Sequence, residues 1–80
     1  MKVWIVEEGY EEGPHDLVGV ASSEQKAIQM YDSFIRNRLS YMKDLPASCF
    51  SSGVTPEQAF KNEVARHKEY FCSIVAVEVQ

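Results

Sequence analysis

The hydrophobic and polar positions of the chain fall into five regular stretches. Lys2 to Glu8 is rich in β-branched and aromatic residues and reads as a strand, and Leu17 to Ala21 as a second. Between them, Gly9, Gly13 and Pro14 break regular structure, so the two strands are expected to form an antiparallel hairpin. From Ala27 the apolar residues recur at three- and four-residue steps: Ile28, Tyr31, Phe34, Ile35, Leu39 and Met42. That spacing draws one stripe down a helix running to about Lys43, with Gln25, Gln29, Asp32, Arg36 and Lys43 left to water. Ser22 as N-cap puts Gln25 at the third helical position, the capping-box spacing, and Ser23 competes for the same role.

Leu45 to Val54 contains Pro46, Gly53 and small polar residues, and reads as a long loop. Thr55-Pro56-Glu57-Gln58 then starts a second helix, with threonine as cap and proline where no amide is needed. Phe60, Val64, His67 and Phe71 fall on one of its faces. Ser73 to Val79 alternates, with Val75, Val77 and Val79 on one side and Ile74, Ala76 and Glu78 on the other. The order is ββααβ. A helical excursion returns the last strand beside the first, so the expected fold is α+β: a three-stranded antiparallel sheet in order 2-1-3, both helices on one face. With 80 residues, all of it forms a single domain, 1–80.

Composition narrows the function. No apolar run approaches the roughly 20 residues that span a bilayer, so no membrane role is expected. The first strand meets Glu7 and Glu8 before a signal-peptide core develops, which predicts a cytoplasmic protein with Cys49 and Cys72 reduced. Charge is lopsided. Residues 1–24 hold six acids against Lys2, whereas the remainder is nearly balanced. Without a basic stripe, direct nucleic-acid binding is disfavoured.

The segment Asp16-Leu17-Val18-Gly19-Val20-Ala21-Ser22-Ser23-Glu24-Gln25-Lys26-Ala27 resembles a group of short uncharacterised phage, plasmid and bacterial proteins. They too open with a Met-Lys-Val-aromatic strand and an acidic turn. The resemblance covers roughly the first 27 residues and, weakly, the final strand. It implies a small accessory protein of phage or mobile-element type, and brings no catalytic residues with it.

No catalytic, metal or cofactor constellation is legible. His15, His67, Cys49 and Cys72 lack the paired spacing of a zinc site, and the acidic turn lacks the ligand order of a calcium loop. Cys49 with His15 or His67 as base would be the only route to a cysteine-dependent enzyme, and no activating signature surrounds it. A non-enzymatic protein-binding role is therefore expected, directed at a host protein or at itself. Helices on one face leave the other bare, so either Trp4 with Val6 or Val3 with Ile5 is exposed. The expected contact residues are Trp4, Val6, Glu7, Glu8, Tyr10, Glu11, Glu12, Asp16, Val77 and Val79. The acids would meet a basic partner, in the limit by mimicking nucleic-acid phosphates. The valine-rich last strand, guarded only by Glu78, is expected as a homodimer edge.

Overall fold

Strands and helices follow the chain in the expected order in a computed structural model that describes residues 1–9, 13–50 and 52–80. β1 (Lys2–Glu8) pairs antiparallel with β2 (Asp16–Ala21) and with β3 (Cys72–Glu78), giving a three-stranded sheet in order β2-β1-β3. α1 (Glu24–Arg38) lies across all three strands, and α2 (Pro56–Tyr70) packs on α1 and reaches β3. The ladder between β1 and β3 runs unbroken from Lys2 opposite Glu78 to Glu8 opposite Cys72.

Between β1 and β2 the register slips. Val6 faces Gly19 while Glu7 faces Leu17, so Val18 is an extra residue, a β-bulge. The bulge lets Val18 pack against the core, beside the inward-facing Gly19 and Ala21. Gly19 leaves space that the Met30 thioether of α1 occupies, so a Cβ there would displace that methionine side chain.

Ser23, rather than Ser22, caps α1, its hydroxyl accepting from the Lys26 amide at 3.1 Å. The α-helix also ends earlier than the apolar stripe suggests. It stops at Arg38, where the Ser40 hydroxyl bonds the Asn37 carbonyl at 2.8 Å, and continues as a 3-10 turn from Ser40 to Asp44. Three-residue spacing in that turn still delivers Met42 to the core next to Leu39, so the burial pattern survives the change of helix type. A second short 3-10 turn, Ala47–Cys49, interrupts the connecting segment. Thr55 caps α2 as its sequence indicates, accepting from the Gln58 amide at 3.1 Å with Pro56 in the first turn.

One hydrophobic cluster joins the layers. Val6 and Ala21 from the sheet, Ala27, Tyr31, Ile35 and Leu39 from α1 and its end, Met42, and Phe60 and Val64 from α2 form it. Burying side chains of this kind contributes about 1.5–3 kcal/mol each for the larger ones. Trp4, Ile74 and Cys72 pack at its margin from the same side of the sheet. No helix among the described residues is long and apolar enough to cross a membrane.

Candidate protein-binding surface

Because β1 and β3 alternate, everything opposite the core in register projects from the second face of the sheet. Cross-strand partners share a face, which assembles Val3 with Val77, Ile5 with Val75 and Val20, and Glu7 with Ser73 and Leu17. Val79 continues the row beyond β3, its amide held by the Met1 carbonyl. No described helix covers this side. Leu17 is 67% exposed and Val77, the least exposed apolar residue on the two outer strands of this face, 37%. Val3 and Ile5, on the central strand, are half-buried. Glu7 is the single charged residue among the described strand positions of this face.

This placement corrects the expected contact set. Trp4 and Val6 lie on the helix side; Val6 is 0% exposed and belongs to the core. β1 carries apolar residues on both faces, so its own pattern could not choose between the pairs. The helices choose: α1 packs over the small Gly19 and Ala21 on β2, and Ile74 on β3 joins the same core. Val77 and Val79 stand on the open face, and Glu7 at its border. Asp16, opposite Glu8, is exposed at the hairpin end but on the helix side. Tyr10, Glu11 and Glu12 lie outside the described residues.

Glu8 is not a surface acid at all. Only 8% exposed, its carboxylate accepts from the Arg38 guanidinium, and its other oxygen faces the His67 Nδ1 at 3.5 Å. That nitrogen is buried without a well-formed hydrogen bond, while Nε2 lies 3.7 Å from a Glu63 oxygen. The Phe71 ring packs edge-on against the imidazole, with centroids 4.8 Å apart. The Tyr31 hydroxyl donates to the His67 carbonyl at 3.1 Å. Burial first, and the Glu8 charge second, push that phenol above its ordinary range. Glu8, Arg38 and His67 border a recess of about 340 Å³ together with Gly9, Pro14, Asp16 and Phe71. The cluster clamps β1 to the C-terminal ends of both helices, a structural task.

The cysteines stay apart in role. Cys49 is exposed in the connecting segment, and Cys72 is half-buried at the start of β3, its thiol pushed up by burial against a weaker opposing pull from Lys68. Basic residues scattered in sequence come together on the outer side. Arg36, Lys61 and Lys68 line a groove of about 430 Å³ between α1 and α2. Asp32 answers two of them, accepting from Lys68 at 2.7 Å and Arg36 at 2.9 Å, and these bonds hold its carboxyl below the usual range. The described residues include no group of three or more histidine, cysteine, aspartate or glutamate side chains arranged to hold a metal ion.

Comparison of the chain with protein-family models, with curated proteins and with solved structures finds no match. Its chemistry is read from these surfaces alone.

Proposed function

We propose that the protein is a non-enzymatic association module that works through its bare sheet face. The observation that supports this is an apolar surface of valine, isoleucine and leucine, formed in register by all three strands and left uncovered by the helices. Contiguous apolar surface of this kind is characteristic of protein contact sites, where the driving force is removal of that surface from water. Glu7 gives the patch a polar border at the hairpin end. Such a role suits the small phage or mobile-element accessory proteins that the N-terminal segment resembles, acting on a host protein or on a second copy.

Photocrosslinking tests the reading. The photoreactive residue p-benzoylphenylalanine replaces Val75 on the open face or Gln29 on α1, and producing cells are irradiated. Protein adducts are expected from position 75 and none from 29. Absence of adducts from position 75, with the variant folded, overturns the reading.

A further inference from the structure

The two edges of the sheet differ. On the β2 side the ladder with β1 is broken by the Val18 bulge, and the strand begins at the charged Asp16. β3 pairs with β1 without a break from Cys72 to Glu78 and holds no lysine, proline or bulge of the kind that blunts exposed edges. The phase of its hydrogen bonds is fixed at both ends. The Val79 amide donates to the Met1 carbonyl at 2.6 Å, and the Gly9 amide to the Phe71 carbonyl at 3.0 Å. Bonded pairs in an antiparallel ladder recur at every second residue, so Ser73, Val75 and Val77 turn their amides and carbonyls toward β1. Cys72, Ile74, Ala76 and Glu78 therefore turn theirs outward, and no backbone group among the described residues answers them. Val75 to Glu78 are exposed, so most of this row meets water.

We propose that a second copy of this chain adds its β3 to this edge, antiparallel about a two-fold axis through Val75, so that the two sheets become one. Only an extended strand can meet a row of outward amides and carbonyls in series. In this register Ile74 of one copy exchanges both backbone bonds with Ala76 of the other, and Cys72 does so with Glu78, so each outward amide finds an outward carbonyl. On the bare side Val75 lies beside its own equivalent and Ser73 beside Val77; on the helix side the small Ala76 stands opposite Ile74. The two Glu78 carboxylates are about 20 Å apart along the strands, beyond the screening length of physiological salt. The β2 edge of a second copy does not serve as well. Its bulge interrupts the ladder, and a β3-on-β2 contact repeats from copy to copy without closing, whereas β3 on β3 closes at two. The contact uses the edge alone, so it is independent of the association reading and leaves the bare face open.

Sedimentation equilibrium of the purified chain, with Ala76→Pro, Glu78→Pro and Val20→Lys variants, tests the proposal. The wild type should weigh twice 9.1 kDa at micromolar concentration. The Ala76 amide points away from β1, so proline there removes no bond within the monomer, a placement that edge strands tolerate. It does remove a donor from the centre of the proposed contact, once in each copy, and sets its ring against the second strand. Ala76→Pro should therefore raise the dimer dissociation constant at least about a hundredfold while far-ultraviolet circular dichroism stays unchanged. Glu78→Pro, also outward but nearer the end of β3, should weaken the dimer too and covers the case in which Ala76→Pro fails to fold. Val20→Lys, on the bare face but remote from β3, should remain dimeric. A wild type that is monomeric throughout overturns the proposal, as does a folded proline variant as dimeric as the wild type. Loss of the dimer in a folded Val20→Lys variant also overturns it, because the contact then lies on the face. A monomeric chain that still yields adducts at position 75 on irradiation keeps the association role and loses the edge dimer.

Discussion

The clamp at Glu8 makes an asymmetric prediction about an ion pair that looks symmetric on paper. Its acid is buried, whereas the Arg38 side chain is 55% exposed. Replacing Arg38 with methionine removes the guanidinium that lies over the Phe34 ring and strands a desolvated carboxylate, with the His67 imidazole still facing it. Leaving a buried polar or charged group without its partner costs about 1–3 kcal/mol or more. Replacing Glu8 with methionine instead returns Arg38 to water and removes the buried charge, leaving an apolar side chain beside His67 and Phe71. Exchange of a buried ion for a hydrophobic residue of similar volume is commonly neutral, so a change within about 1 kcal/mol is expected. The double variant should resemble Glu8→Met and recover most of the Arg38→Met loss. Domains of 80 residues have about 4–12 kcal/mol to lose. At about 1 kcal/mol per molar urea, the Arg38→Met midpoint should fall by about 1–3 M. Urea unfolding of all four proteins at one fixed concentration reads the cycle. A Glu8→Met loss equal to or larger than that of Arg38→Met refutes the reasoning, because the carboxylate would then stabilise the fold beyond the cost of its own desolvation.

Four further outcomes follow from the packing. Asp32 is stabilised as a carboxylate by Lys68 and Arg36, so its contribution is present above the unfolded carboxyl range near pH 4 and disappears as pH falls through its lower folded value; Asp32→Asn should cost up to about 1 kcal/mol at pH 7 and nothing at the acid end, by urea unfolding at each pH. Ile35→Ala should cost about 2–5 kcal/mol because Ile35 is fully buried, whereas Ile28→Ala, on the same helix but 46% exposed, should cost under about 1 kcal/mol. Gly9→Ala puts a methyl 2.6 Å from the Pro14 carbonyl oxygen and requires backbone movement, and Gly53→Ala, with open space but φ of 86°, should cost only the left-handed penalty of about 1–2 kcal/mol; thermal unfolding ranks the two. Iodoacetamide at neutral pH should label exposed Cys49 well before Cys72, whose raised thiol range shifts its reactivity to higher pH, as mass spectrometry of each peptide would report.

Local chemistry determined most of the architecture. Alternation in residues 73–79, three- and four-residue spacing from Ala27 onward, and the Thr55-Pro56 start each describe what a segment does by itself, so the element order and the β2-β1-β3 sheet were legible without tertiary contacts. Three decisions belonged to the folded chain. The covered face of β1 depended on α1 packing over the small Gly19 and Ala21, and β1 is apolar on both sides. The Val18 bulge put Leu17 and Val20 on one face although they are three residues apart, a spacing that simple alternation misreads. The burial of Glu8 required Arg38 and His67, which stand 30 and 59 positions further along the chain. A carboxylate looks like surface until distant partners, the Arg38 guanidinium above all, arrive to make its desolvation tolerable, and only the tertiary fold brings them there.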